Sequence, residues 1–200
     1  HTVVAFYVST GFVVLGVAAY YLRRGQHRET GGLMARMAVF FLAVMVPLQF
    51  VLGDAHGLNT LAHQPAKVAA MEGLWETSAP APAVLIAIPD QQAQANRWEL
   101  AVPGLASVYL THSRDGQVTG LKAFPREDQP PVAPVFFAFR VMVGVGVLML
   151  LVAWWGAFLV WRGRLESSRG FLRVAQWMIP SGFVAVLAGW IVTEVGRQPW

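Results

Sequence analysis

Four long apolar windows with almost no charge constrain the fold of this chain more than any other feature. They are residues 2–22, 37–53, 132–161 and 174–193, and within them only Arg140 carries a charge. A helix needs roughly 20 mostly apolar residues to cross the hydrocarbon core of a bilayer. Charged residues make up 13% of the chain, whereas about 25% is usual for soluble domains. The windows therefore predict an all-α integral membrane bundle with four transmembrane helices.

The placement of arginine predicts the orientation of these helices. Arginines crowd the two short connections, whereas segment 54–131 holds five basic and eight acidic residues. The connecting arginines are Arg23, Arg24, Arg28, Arg36, Arg162, Arg164, Arg169 and Arg173. Because basic loops stay in the cytoplasm, we expect the middle segment on the outer side of the membrane. These arginines also explain the net charge of +4, so the charge does not call for a nucleic-acid partner.

The windows divide the chain into two helices in 1–53, a large extracytoplasmic loop in 54–133 and two helices in 134–200. The loop has aromatic and branched residues, which predicts an ordered segment that lies partly on the membrane surface. Residues 64–77 predict a short amphipathic helix, because Pro65 suits a first helical position.

Turn residues further along the loop predict a β-hairpin. Segments 107–111 and 117–121 flank Asp115-Gly116, a dipeptide that favours a tight turn between two strands.

The first candidate site combines His1, Arg140 and Met142. A histidine nitrogen and a methionine thioether can hold a low-spin haem iron from opposite faces, and an arginine could offset the haem propionates. The chain has no cysteine, which excludes a thiolate ligand in this part. A methionine in an apolar helix is nevertheless more often a packing residue, so the residues alone leave both interpretations open.

The second candidate site lies where the second window ends, at Asp54, Gln64, Lys67 and Glu72. A partly buried glutamate can act as a general base, and a neighbouring lysine can donate hydrogen bonds to a substrate. The alternative is a solvated helix face with an ordinary ion pair.

The third candidate site is Trp190, Glu194 and Arg197 near the outer end of the fourth window. Trp190 and Glu194 are four residues apart and share a helix face. The residues alone also fit an interfacial aromatic anchor beside a helix-end ion pair.

Four stretches together resemble subunit I of the cytochrome bd-type quinol oxidases. They are HTVVAFYVSTG at 1–11, GDAHGLNTLAHQPAKVAAMEGLWE at 53–76, FFAFRVMVG at 136–144 and GWIVTEVGRQPW at 189–200. The resemblance covers the chain in order, with a quinol loop of the short type. The chain starts at His1 and ends inside a motif, so we expect the carboxy-proximal part of a longer subunit.

The resemblance implies roles for the residues of all three sites. His1 and Met142 would bind the iron of a low-spin haem b, which Arg140 tunes. Lys67 and Glu72 would be the catalytic residues of quinol oxidation, with Asp54 and Gln64 also binding quinol. Trp190, Glu194 and Arg197 would serve the oxygen-reducing pair, a high-spin haem b with haem d or a second haem b, and Glu194 would be an iron ligand or lie close to one.

The resemblance also implies the reaction and the partners. Quinol would be oxidised at the outer face, electrons would pass through the haems, and oxygen would be reduced to water, which generates a proton-motive force. The partners would be membrane lipid, a second large membrane subunit and a small single-helix subunit. The protein would lie in the bacterial cytoplasmic (inner) membrane, with residues 54–133 on the periplasmic side. Another haem ligand and the acidic proton path would lie in helices that precede residue 1, so we expect this part alone to be inactive.

Two other classes of protein fit the four windows. A secondary transporter would have broken helices at mid-membrane, for which Pro47 and Pro180 are the available hints. A non-catalytic haem b electron-carrier subunit would hold one haem and consume no oxygen. An optical spectrum of the full-length protein would separate these classes.

Overall fold

The computed structural model describes residues 1–199 and is mainly helical. Its elements are α1 (Thr2–Arg24), α2 (Arg28–His63), α3 (Pro65–Glu72), β1 (Ala83–Asp90), β2 (Ala95–Val102), α4 (Leu105–Thr111), α5 (Val132–Trp161), α6 (Arg169–Trp177) and α7 (Ser181–Val195), with 3-10 turns at Leu121–Ala123 and Arg126–Asp128. Trp200, which ends the last quoted motif, lies outside the described residues.

Four stretches of helix in the described chain are long and apolar enough to cross a membrane. They are Thr2–Arg24, Arg28–His63, Arg126–Trp161 and Arg169–Val195. Each contains one of the predicted windows, so the predicted all-α membrane fold is confirmed and the chain is a multi-pass membrane protein. Helix α2 continues beyond Gly53 to His63 and so reaches into the predicted loop.

The last span is broken and the second is not. Residues 178–180 form a turn between α6 and α7, at the proline whose missing N–H cannot continue a helix. Ser181 Oγ donates a hydrogen bond of 2.6 Å to the carbonyl of Met178 and satisfies part of the interrupted backbone. Pro47, in contrast, lies inside an uninterrupted α2.

The first compact unit comprises His1–Leu52 and Met142–Val186. Its core includes Phe12, Leu42 and Phe171, all fully buried. Glycine allows the close approach of α1 to the α6–α7 connection, because a methyl group at Gly16 would lie 2.2 Å from Ile179 Cγ1. Small residues at helix contacts are the usual means of tight packing in membranes.

The second compact unit comprises Gly53–Val141 and the chain from Leu187 onward. Helix α3 lies between two buried clusters of this unit. Val68 belongs to a cluster with Val84 and Phe136, and Ala70 belongs to a cluster that contains Val192. Opposite faces of one short helix therefore pack on different parts of the unit.

The predicted hairpin at 107–121 is wrong. Residues Leu105–Thr111 form helix α4, and the hairpin is made by β1 and β2, which pair antiparallel. Buried Ser107 fixes the local fold, because its hydroxyl accepts from the Ala81 amide at 2.7 Å and donates to the Gly116 carbonyl at 2.6 Å. Pro89 is accommodated in β1 at a register irregularity, where a strand tolerates proline.

The short helix predicted at 64–77 is confirmed but ends at Glu72. Gly73 follows with a φ of 67°, a left-handed conformation that glycine adopts without strain and that commonly ends a helix. The remaining residues up to 77 therefore continue in another direction.

Candidate functional site

His1 is held at the start of α1 by a glutamine from α2. Gln49 Nε2 lies 2.9 Å from His1 Nδ1 and 3.3 Å from His1 Nε2. The other polar atom of the glutamine, Oε1, is buried and has no hydrogen-bond partner among the described residues. A buried carbonyl oxygen of this kind usually has a hydrogen-bond partner. Gln49 Oε1 could therefore accept a hydrogen bond from a further group bound beside His1.

Met142 lies on α5, in the same compact unit as His1. Phe50 follows Gln49 on α2, and a methyl group at Gly146 of α5 would lie 3.5 Å from Phe50 Cζ. Met142 precedes Gly146 by about one helical turn. The donor set, an imidazole nitrogen and a thioether on different helices, has the chemistry that a low-spin haem iron binds.

The guanidinium group of Arg140 is turned towards the second candidate site. Its Nη1 donates to the Met71 carbonyl at 2.8 Å, and its Nε donates to the carbonyls of Val84 and Leu85 at 3.0 and 3.2 Å. The guanidinium carbon lies 4.3 Å from the ring centroid of Phe136, within range of a cation–π interaction. These contacts fix Arg140 against the loop segment.

Arg140 also forms a buried ion pair with Glu72. Its Nη2 lies 3.1 Å from Glu72 Oε2, and the side chain of Glu72 is 3% exposed. The Tyr109 hydroxyl on α4 donates a second hydrogen bond to the same carboxylate. The structure therefore brings together two residues from different predicted sites, Glu72 and Arg140, and adds Tyr109.

Burial dominates the electrostatics of Glu72. It raises the pKa of this carboxyl above its ordinary value, whereas the charge of Arg140 and the hydrogen bond from Tyr109 act in the opposite direction. Burial and the nearby carboxylate also raise the pKa of Tyr109, which keeps the phenol protonated as a donor. A carboxylate with a raised pKa accepts a proton more readily than an ordinary one, which suits a general base.

Lys67 lies on a different face of α3. Five residues separate it from Glu72, which is about 140° around the helix. A methyl group at Gly196 would lie 3.1 Å from Lys67 Cγ and 3.2 Å from its Cε. Burial lowers the pKa of Lys67 and the charge of Arg197 lowers it further, whereas Glu194 opposes both. Lys67 therefore belongs with the residues that follow α7.

The third candidate site forms an ion pair at the end of α7. Arg197 Nη2 lies 3.2 Å from Glu194 Oε2, and both side chains are partly exposed. Trp190 is 62% exposed. Val192 packs this end of α7 against α3, because it belongs to the buried cluster that contains Ala70.

Asp54 and Gln64 make other contacts. Asp54 Oδ2 lies 3.3 Å from His112 Nε2, beyond the end of α4. Gln64 precedes α3, where its backbone carbonyl accepts from the amides of Lys67 and Val68 at 3.1 and 3.3 Å, and its side chain makes no capping hydrogen bond. The structure thus joins neither side chain to Glu72.

Three contact residues were missed by sequence reasoning. Tyr109 lies 37 positions from Glu72, inside a segment interpreted as a strand, so no local signal marked it. His112 lies 58 positions from Asp54, its contact residue, so no local signal marked it either. Gln49 did carry a signal, since it is the most polar residue of an otherwise apolar window.

Comparison with known proteins identifies the family. The family model for cytochrome bd terminal oxidase subunit I matches residues 1–200. The chain is 32% identical to the cytochrome bd-II ubiquinol oxidase subunit 1 of Escherichia coli strain K12, with 100% of this chain and 52% of the relative aligned. It is 33% identical to the cytochrome bd ubiquinol oxidase subunit 1 of Bacillus subtilis strain 168, with 100% of this chain and 45% of the relative aligned.

A solved structure supports the same assignment. The bd oxidase from Geobacillus thermodenitrificans superimposes with a TM-score of 0.87 at 27% identity, over 98% of this chain and 45% of that one. The chain spans about half the length of the curated relatives that it matches. With its whole length matched by the family model, the chain belongs to the cytochrome bd terminal oxidase subunit I family.

Proposed function

We propose that this chain supplies the quinol-oxidising and electron-entry part of a membrane terminal oxidase. Quinol is oxidised at the outer face, and its electrons reduce oxygen to water within the complete complex. The proposal rests on family membership together with one observation, the buried Glu72 carboxylate between Arg140 and Tyr109. The relatives named above include ubiquinol oxidase subunits, which supports a quinol as the reductant.

Glu72 is the proposed proton acceptor. Oxidation of a quinol to a quinone releases two electrons and two protons, and the first hydroxyl proton passes to the Glu72 carboxylate. Burial favours the protonated form of Glu72, so this carboxylate accepts a proton more readily than an ordinary carboxylate does. Release of that proton to the outer aqueous phase restores the carboxylate, which then accepts the second hydroxyl proton, and the two electrons leave for the acceptors of the complete complex.

Arg140 and Tyr109 position the acceptor. The five N–H groups of an arginine fix a carboxylate in one orientation, and Arg140 uses its other donors on backbone carbonyls of the loop. The Tyr109 hydroxyl occupies part of the remaining acceptor capacity of Glu72. Lys67, close to Gly196, is the proposed hydrogen-bond donor to a quinol oxygen, and its lowered pKa eases desolvation when the substrate binds.

His1 and Met142 are the residues proposed to hold the iron of a low-spin haem b. When bound, the haem would supply a one-electron acceptor between quinol and the oxygen-reducing haems. Gln49 orients the His1 ring through its 2.9 Å contact to Nδ1. Which of its two nitrogens faces the metal is set by the hydrogen bond that the other one makes.

Glu194 is proposed to serve the oxygen-reducing pair of haems, as an iron ligand or close to one. This pair would be a high-spin haem b with haem d or a second haem b. Trp190 and Arg197 would line the same haem region. The rest of that region, a second large subunit and a small single-helix subunit belong to the complete oxidase. Uptake of protons from the cytoplasm and their release outside would then generate a proton-motive force without a pump.

An optical and respiratory measurement on the full-length complex tests this function. Adding quinol anaerobically should produce reduced haem bands, and adding oxygen should reoxidise them with oxygen consumption. A haem that is reduced without oxygen uptake would favour the electron-carrier alternative. A preparation with no haem band would favour the transporter alternative.

A further inference from the structure

The outward face of the β1–β2 hairpin is apolar and uncovered in this chain. Ile86 and Leu100 are direct cross-strand partners, and they are 55% and 51% exposed. Ile88 and Trp98, nearer the turn, are each 55% exposed. A two-stranded sheet usually turns polar side chains to water on its open face, and a contiguous exposed apolar patch marks an interaction surface.

The inner face of the same hairpin is anchored to α5. Val84 packs in the buried core of the second unit. Arg140 Nε donates to the carbonyls of Val84 and Leu85. The first residues of the hairpin therefore lie beside α5 at the level of Arg140.

The length of α5 places that level near a membrane boundary. The helix has 30 residues and is about 45 Å long, which exceeds the roughly 30 Å of hydrocarbon core. Tryptophans occupy its far end at 154, 155 and 161, and Arg162 follows, a pattern typical of the cytoplasmic interface. Counting about 20 residues back from Phe158 reaches Ala138, so Arg140 lies close to the outer boundary.

Helix α5 exposes apolar side chains next to Arg140. Phe137 and Val141, one turn apart and flanking Arg140, are 48% and 46% exposed. Lipid covers such apolar surface on a membrane-spanning helix. Arg140 donates hydrogen bonds to two residues near the start of the hairpin, Val84 and Leu85. Trp98 on the open face is of the residue type that is enriched in the interfacial layer.

We propose that the face formed by Ile86, Ile88, Trp98 and Leu100 rests in the interfacial layer of the outer leaflet, with phospholipid as its partner. The hairpin is then a membrane anchor for the loop. Because Arg140 contacts both the hairpin backbone and Glu72, the anchor holds the carboxylate at the depth where a lipid-dissolved molecule arrives. The charged pair of Asp90 and Arg97, 2.7 Å apart near the turn, stays at the headgroup level.

A depth-dependent quenching experiment tests this anchor. The chain has no cysteine, so a single cysteine from Ile88→Cys can carry an environment-sensitive nitrobenzoxadiazole label, after any thiol elsewhere in the full-length complex has been replaced. The complex is reconstituted in phosphatidylethanolamine–phosphatidylglycerol vesicles with or without nitroxide-labelled lipid. Asp115→Cys, on an exposed part of the same loop, is the matched control.

We expect a blue-shifted label at position 88 that loses most of its emission to nitroxide lipid and little to aqueous iodide. The label at position 115 should show the reverse. Iodide quenching at position 88 would contradict the proposal, and so would protection from both quenchers, since that result means cover by a protein subunit. Nitroxide quenching that disappears when long-chain quinol is added would also contradict it, because the tail of quinol would then be the occupant.

The proposed lipid contact and the proposed quinol site can be tested independently of each other. Glu72→Gln should leave the quenching at position 88 unchanged, because Glu72 lies on the buried side of the unit. Haem content of the labelled complex, measured alongside, shows that the protein is assembled.

Discussion

Glu72 Oε2 and Arg140 Nη2 lie 3.1 Å apart across 68 positions of sequence, and this ion pair connects the loop helix to a membrane-spanning helix. The pair is buried, with the glutamate side chain 3% and the arginine side chain 20% exposed. The residue that the family resemblance assigns to tuning of a haem thus directly contacts the proposed proton acceptor. A change at either residue should therefore affect quinol oxidation.

Arg140→Gln should destabilise the complex more than Glu72→Gln. Removing the guanidinium leaves the backbone carbonyls of Met71, Val84 and Leu85 without their donor, and each buried polar group left unpaired costs about 1–3 kcal/mol. Arg140 keeps these carbonyl partners when Glu72 is changed. Glutamine at position 72 resembles the protonated glutamate that burial favours. Thermal unfolding of the two variants and of the double variant would measure this difference. Equal destabilisation by both single changes would contradict the importance of the contacts between Arg140 and the loop backbone.

The stability of the second unit should depend on pH through Glu72. Because burial raises the folded-state pKa of Glu72, its contribution to stability is fully present below the unfolded pKa and is lost as pH rises through the folded value. Glu72→Gln should remove this part of the pH dependence. Unfolding midpoints of the wild type and the variant, measured across acidic to neutral pH, would test the sign.

Tyr109→Phe should shift the pH dependence of quinol oxidation. The phenol hydrogen bond lowers the pKa of Glu72, so its removal raises that pKa further. The acidic limb of the activity profile should then move to higher pH, because Glu72 must be deprotonated to accept a proton. Tyr7→Phe, at an exposed position of α1, is the control. An unshifted profile with reduced activity at every pH would mean a purely structural role.

Met142→Leu should alter the low-spin haem. Leucine keeps much of the volume and removes the thioether, so the iron should lose an axial ligand, become partly high-spin and fall in potential. Met149→Leu in the buried core of the same helix is the control. Reduced spectra and a redox titration would measure both variants, and an unchanged midpoint potential in Met142→Leu would remove Met142 from the ligand set.

Glu194→Ala should deplete or alter the high-spin haem signals and spare the low-spin signal. If the carboxylate only pairs with Arg197, its loss should cost about 1 kcal/mol or less, because the pair is partly exposed. Haem quantitation and a carbon monoxide difference spectrum, with Thr193→Ala as the neighbouring control, would distinguish these outcomes. Full retention of both high-spin haems would mean that Glu194 only forms a helix-end ion pair with Arg197.

The membrane spans could be predicted from the sequence because length and hydropathy are local properties. The ion pair of Glu72 and Arg140 could not, since nothing near either residue indicates a partner 68 positions away. The hairpin was misplaced because Asp115-Gly116 gave a strong local turn signal, whereas Pro89 obscured the true strand. The hydrogen bonds of the buried Ser107 hydroxyl with Ala81 and Gly116 stabilise the helix α4 instead, and both partners are distant enough to give no local signal.

Comparing two electron donors in a Glu72→Gln variant of the full-length oxidase tests the central claim most directly. Quinol-driven oxygen uptake should fall by about 10²-fold or more, as expected when a general base is lost. Uptake driven by an artificial one-electron donor to the haems should stay normal. Glu76→Gln, at an exposed residue paired with Lys122, should leave both rates unchanged. Equal loss with both donors, or full quinol activity in Glu72→Gln, would contradict the assignment of Glu72 as the proton acceptor.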